Sequence, residues 1–342
     1  IISPMYLVRK GKPRWDAVSE ILTHARFPTR ALQENLADLN GALASVHLGE
    51  QNLQQLCKQY GERQVRVQMS ALRAYAASLL SDRILRLPKK KFAAKEFLDD
   101  GSPLVVHIHR KKKSLVIDFG NSSPVHPGNL NATKAIVQSV VLYCLRLLVD
   151  HPLPMNEGLM EPVTLILPHG LLNPDFSKTP MPAVVGGNTE ISQRLTDTLL
   201  KAFGLAACSQ GTMNNFLFGN ERFGYYETIC GGTGASEGFT GTDAVHQHMT
   251  NTRITDPEIF EFRYPVRLIR VEVRKNSGGK GRWRGGNGVV REVQFLESLE
   301  VNLLTQHRVE KPYGLLGGKP GVTGLHLLHR KNGQRELLPG VV

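Results

Sequence analysis

Cysteine is scarce in this chain: Cys57, Cys144, Cys208 and Cys230 are the only four in 342 residues, and no two stand in CxxC spacing. That count excludes a disulfide-stapled scaffold and the spacing argues against a zinc knuckle; both fit a reducing compartment, so a cytoplasmic location is expected. Long apolar runs are missing as well. The longest, Ala135 to Val149, is broken by Gln138, Ser139 and Arg146, which makes it a buried helix rather than a membrane span. The opening IISPMYLVRKGKPRW lacks the charge-then-apolar order of a signal peptide. Aromatics make up only 7% of the residues, yet 41% are hydrophobic and no tract is of low complexity, so the chain reads as an ordinary globular protein with a sizeable core. Two catalytic signatures are absent too. The stretch GGKGRWRGGNGVVRE (278–292) has the composition of a phosphate loop without GxxxxGK[ST] spacing, and Ser209 has no GxSxG elbow around it.

What is abundant is positive charge, a formal +12. Clustered Lys and Arg attract phosphate, but the clusters here carry no recognition motif and no interleaved aromatics. Lys89 to Lys91 precede a strand-like segment and Arg110 to Lys113 fill a hairpin turn. No nucleic-acid partner is expected, nor a membrane; an acidic partner chain would balance the excess.

Periodicity supplies the architecture. Leu32, Leu36, Leu39, Leu43 and Val46 recur at three- and four-residue spacing, as do Val65, Met69, Leu72 and Leu79 beyond Tyr60-Gly61, which predicts an antiparallel helix pair. Val105 and His107, then Leu115 and Ile117, alternate as two strands joined by the basic turn. A helix follows over 132–149 and a strand over 163–167. GGNTEISQRLTDTLLKAFG predicts a helix capped by Asn188 or Thr189, with Ile191, Leu195 and Leu199 on its apolar face and Gly204 ending it. Beyond it the chain is β-rich, with Ile269, Val271 and Val273 alternating with charge. The expected fold is α+β: a helical hairpin near the start, a mixed sheet and buried helix in the middle, and a β-rich C-terminal half. The corresponding segments are 1–95, 96–205 and 206–342, or one continuous domain.

The candidate site lies in residues 209–256, where small, polar and glycine residues reach a density that a hydrophobic core does not need. Glycine there allows close backbone approach and frees N–H donors. Glu227, between Tyr226 and Ile229, is the expected general acid or base, its pKa raised by burial. Asn214 is the expected oxyanion donor and His248 a hydrogen-bonding partner. Ser209, Gln210, Thr212, Asn215, His246, Asn251, Thr252 and Arg282 are the expected substrate contacts. His246-Gln247-His248 would present two imidazoles on one side of an extended segment, with Asp243, Glu227 or Asp256 as oxygen ligands to a divalent metal; a hydrogen-bonded network is the alternative use of the same pair.

This cassette, together with GGKGRWRGGNGVVRE, NLADLNGALA (35–44), EFLDDGSPLVVHI (96–108), VIDFGNSS (116–123), NATKAIVQSVVLYCLRLLV (131–149), VVGGNTEISQR (184–194) and KPYGLLGGKPG (311–321), closely resembles the hydantoinase B family in order and along essentially the whole chain. The resemblance implies the hydrolytic half of an ATP-dependent cyclic-amide hydrolase, foremost one that opens 5-oxo-L-proline to L-glutamate. It also implies ATP and Mg2+ on a hydantoinase A-like partner of actin-like fold, within a homo- or hetero-oligomer. Family members carry a His- and Asp-rich segment ahead of the position of Ile1, where the resemblance puts any metal, and run on past Val342. The chain therefore reads as truncated at both ends. The alternatives are a hydantoinase subunit, a ketone carboxylase subunit or, in another class, a non-catalytic assembly module.

Overall fold

The computed structural model describes residues 2, 5–25, 28–88, 91–178 and 180–341, so Lys89 and Lys90 of the first basic cluster and Thr179 of the proline-rich loop lie outside the described residues. The chain forms two compact units, Ile1–Ala71 with Phe218–Tyr225, and Leu72–Leu217 with Tyr226–Val342.

The first unit holds a short ribbon, β1 (Val8–Arg9) with β2 (Lys12–Pro13), and the helices α1 (Trp15–Thr23) and α2 (Leu32–Tyr60). Gly61, at φ +83, separates α2 from α3 (Glu62–Arg86). Both expected helices form. α2 buries none of its residues, and its stripe is partly covered at Leu36, Leu39 and Leu43 and open at Val46, 71% exposed. α3 buries Ala76, Leu80 and Ile84 only in its second half. The spacing was right for helix and carried no information on what covers the stripe.

The second unit is built on a four-stranded sheet, β3 (Phe92–Phe97), β4 (Pro103–Lys111), β5 (Ser114–Asp118) and β6 (Val163–Ile166), in that order. The first three run antiparallel and β6 runs parallel to β5. Of the basic residues, Arg110 and Lys111 end β4, and Lys112 and Lys113 form the β4–β5 turn, with Lys112 at φ +51. Phe92, Ala94, Leu104, Val106, Ile108, Leu115 and Ile117 make the buried face by strict alternation. α4 (Lys134–Leu148) is capped by Thr133, whose hydroxyl accepts from the Ile136 N–H, and turns Val137, Val140, Val141, Cys144, Leu145 and Leu148 into the core.

Between α4 and β3–β4 runs α5 (Ser192–Phe203). It is preceded by a single π turn, Gly187–Ile191, instead of a side-chain cap, and ends as expected on Gly204 in the left-handed conformation, φ +70. Flanked by sheet and helix, α5 buries its polar face as well as its apolar one: Ser192, Gln193, Arg194, Thr196, Asp197 and Thr198 are all at most 2% exposed.

The remaining strands are β7 (Asn215–Gly219), β8 (Gly224–Thr228), β9 (Val266–Arg274), β10 (Gly288–Phe295), β11 (Glu300–Leu304), β12 (His326–His329) and β13 (Arg335–Leu338), with α6 (Pro257–Arg263) before β9. They pair as β11–β7–β8, β9–β10 and β12–β13. Mixed helix and small sheets make this an α+β fold.

Candidate functional site

Buried polar groups need partners, because an amide or carboxylate taken from water without one costs several kcal/mol at most sites. The partners of the α5 polar face come from three loops of the second unit, around residues 208–215, 246–250 and 305–313. Asp197, fully buried, accepts from the Ser209 N–H at 3.1 Å and hydroxyl at 2.8 Å, faces the Cys208 thiol at 3.4 Å, and stands 3.5 Å from His248 Nε2. Burial alone would push its carboxyl up; the hydrogen bonds from His248 and Ser209 outweigh that and hold it below the usual carboxylate range. The Tyr313 hydroxyl donates to the main-chain carbonyl of the same residue at 2.6 Å.

One turn earlier, Arg194 points its guanidinium at the His307 ring. His307 Nδ1 donates to the Glu310 carbonyl at 2.5 Å, so Nε2 is left to accept from Arg194. Burial and then the Arg194 charge push this imidazole well below its usual pKa, and it is neutral. Gly211, at φ +62, passes directly against the ring where a Cβ would not fit. At the π turn Glu190 accepts from the Met213 N–H at 3.3 Å and from Asn215 Nδ2 at 2.9 Å. Burial pushes its carboxyl up to about 8 against the opposing pull of Thr212, Met213 and Arg194.

Backbone strain gathers in the same place. Asn214, His248 and His307 have φ of +52, +56 and +59, a region that costs a non-glycine residue about 1–3 kcal/mol and persists at sites that need it. His248 is fixed on both sides: Nε2 faces Asp197 and Nδ1 lies 3.1 Å from the Tyr143 hydroxyl, the two rings meeting edge to face. Among the atoms of this region that are buried with no hydrogen-bond partner are Glu190 Oε2, Arg194 Nε and Nη2, Gln210 Oε1 and His246 Nε2. Burial lowers the His246 pKa. The Gln210 main-chain N–H and Gln247 Nε2 converge on one acceptor, the Gly232 carbonyl, at 3.1 Å and 2.8 Å.

Of the residues expected from sequence, Ser209, Gln210, Thr212, Asn215 and His248 join this network. Thr252 bonds to Thr228, Asn251 is exposed, and Arg282 lies on the surface over the Trp283 ring. Glu227, Asn214 and the His246–His248 pair take their partners within the protein. Glu227 is buried, but as an ion pair with Arg291 at 2.8 Å, both side chains at most 2% exposed, and not as a lone carboxylate in an apolar pocket. Both ends of the Asn214 amide are used within the protein, accepting from Arg308 at 2.8 Å and donating to Ile229 O at 3.2 Å. His246 and His248 do not share a face, because the chain turns at His248; His246 lies beside Thr250 instead. Asp243 is occupied by Arg284 and Asn287, which hold it down to about 2, and Asp256 caps α6. Among the described residues no three His, Cys, Asp or Glu side chains are grouped to hold a metal ion.

The cassette glycines serve main-chain packing. The Gly286 N–H donates to Thr233 O and Gly241 N–H to Arg284 O, and a Cβ on Gly232 or Gly286 would run into backbone. Cys230 is buried, with its thiol pushed up by burial, as an inert cysteine should be. Glu190, Arg194, Asp197, His307 and Tyr143 were missed. In SQRLTDTLL the polar residues fall opposite the leucines, and such a face ordinarily meets water.

The sequence profile of Hydantoinase B/oxoprolinase matches residues 1–340. A 5-oxoprolinase of Dictyostelium discoideum is 41% identical over 97% of this chain, which spans 26% of that protein. The ATP-dependent caprolactamase of Pseudomonas jessenii has the same fold at TM-score 0.84 and 24% identity, covering 100% of this chain and 62% of its own. An acetone carboxylase superposes at TM-score 0.72 and 16% identity over 87% of this chain and 44% of its own. The chain thus spans about a quarter of the curated relative. Its sequence, over nearly its whole length, belongs to the hydantoinase B/oxoprolinase family.

Proposed function

We propose that this chain is the hydrolytic portion of an ATP-dependent cyclic-amide hydrolase whose substrate is 5-oxo-L-proline, opened to L-glutamate. The observation that carries the reading is the 41% identity to a 5-oxoprolinase across 97% of the chain. A lactam is a stabilised amide, so converting its oxygen to a phosphate ester makes the carbonyl carbon electrophilic and gives it a leaving group. ATP and Mg2+ act on a hydantoinase A-like partner, and this chain handles the activated amide and water. Its sequence has no P-loop, and its arginines at 282 and 284 lie over Trp283 and on Asp243. The unpartnered Gln210 Oε1 and His246 Nε2 supply hydrogen-bonding capacity of the kind a ring amide needs, and support substrate contact at those two residues.

The test is a substrate panel on the full-length protein with its ATP-binding portion. Glutamate formed from 5-oxoproline at a kcat/KM at least about 100-fold above that for ring opening of hydantoin or caprolactam supports the assignment. Preference for either of the others moves the substrate elsewhere within the same reaction class, and turnover of none of the three overturns the reading.

A further inference from the structure

Resting on that reading, we propose that Tyr143 is the catalytic end of a proton relay running from Asp197 through His248 to the Tyr143 hydroxyl. The groups lie in line: Asp197 Oδ1 is 3.5 Å from His248 Nε2, and His248 Nδ1 is 3.1 Å from Tyr143 Oη. Direction follows from what each group can donate. An ionised carboxylate only accepts, so Nε2 carries the imidazole proton; Nδ1 is then an acceptor, and the phenol O–H points at it. Asp197 is kept ionised by its hydrogen bonds in full burial, while Tyr143 is only half-buried. Each member sits on a different rigid support: Asp197 within α5, Tyr143 within α4, and His248 in a strained turn.

The other nucleophilic groups around Asp197 do not fit a covalent route. Burial, then the Asp197 charge, push the Cys208 thiol well above its usual pKa, and the Ser209 hydroxyl is 2% exposed and committed to Asp197. Arg194, His307, Cys208, Tyr313 and Glu96 on the Asp197 side, and Cys144 on the Tyr143 side, are charged or titratable groups around the relay.

In the step proposed, a water bound to Tyr143 Oη attacks the carbon of the O-phosphorylated amide. A C–O bond forms; the water proton passes to Oη as the phenol proton passes to Nδ1. Tyr143 ends with the proton count it began with, and His248 becomes an imidazolium facing Asp197. The C–N bond then breaks as the carbonyl reforms, the ring nitrogen leaving with its electron pair and taking the proton back from His248 as the relay runs in reverse, which gives an acyl phosphate. A second water adds to that carbonyl carbon, and phosphate leaves with its electron pair and the former amide oxygen to give the carboxylate.

The test uses the full-length enzyme and measures glutamate and ADP together. Tyr143→Phe, which removes one hydroxyl, is expected to lower kcat for glutamate about 100-fold with KM changed less than about threefold, while lactam-stimulated ATP cleavage continues. His248→Gln should do the same, and the double variant should be no slower than either single, because a relay is broken once. Lys112→Ala in the basic turn should match wild type. Wild-type turnover of hydantoin or caprolactam in place of 5-oxoproline would displace the substrate reading alone, and the same variants are then measured on that amide. A Tyr143→Phe enzyme that releases product at the wild-type rate, or a double variant showing the product of the two single losses, overturns the relay; wild type inactive on all three amides overturns both.

Discussion

At the scale of single residues, two buried carboxylates lend themselves to different tests. Glu227 faces Arg291 in an ion pair closed to solvent. Glu227→Gln leaves a guanidinium without its counter-charge and is expected to cost about 3–5 kcal/mol, whereas replacing both partners by apolar residues of like volume should recover most of the loss. Urea unfolding of the two variants checks this; equal destabilisation would mean that the pair is worth more than its desolvation. Glu190 differs, because burial raises it from 4.5 to about 8. Between those values the folded protein holds a proton that the unfolded chain has released. Its contribution to stability is therefore full below the unfolded value and lost as pH rises through 8. Glu190→Gln, neutral throughout, should flatten the fall in the urea midpoint between about pH 5 and about pH 9. Parallel profiles for wild type and variant would show that Glu190 is already ionised in the fold.

At the scale of elements, the glycines separate into two kinds. Gly286 packs its Cα against the Thr242 main chain, so Gly286→Ala should cost about 2 kcal/mol or more by overpacking. Gly49 lies on the open surface of α2 with nothing near, and Gly49→Ala should stabilise by up to about 1 kcal/mol through helix propensity. Thermal midpoints shifting in the same direction would refute this division. The sequence made the existence of α4, α5, β4, β5, β6 and β9 legible, because each carries a clear period and the Gly204 stop and Lys112 turn are local chemistry. It did not show that the polar face of α5 is inside. Whether a polar face meets water or another element is decided by long-range packing, here by the sheet on one side and α4 on the other. For the same reason the cassette glycines read as ligand-binding from their density, while the fold uses them to bring loop against loop.

At the scale of the whole molecule, the network residues singled out from sequence were Ser209, Gln210, Thr212 and His248 on the loops and Asn215 at the start of β7. Their buried counterparts Asp197, Glu190 and Arg194 became visible only with the fold, since nothing in a helical repeat marks which polar positions will find partners on other elements. The proposed division of labour predicts that this chain alone binds no MgATP. Calorimetric binding tighter than about 0.1 mM, roughly 5.5 kcal/mol, would contradict it. The central claim is activation of the amide oxygen by ATP followed by hydrolysis on this chain, and the fate of that oxygen tests it most directly. Full-length protein is given 5-oxoproline labelled with 18O at the ring carbonyl, with MgATP in ordinary water. The account predicts one labelled oxygen in each inorganic phosphate and two unlabelled oxygens in the new glutamate carboxylate. Label retained in the glutamate, with unlabelled phosphate, would mean that the amide is cleaved without being phosphorylated and would contradict the account.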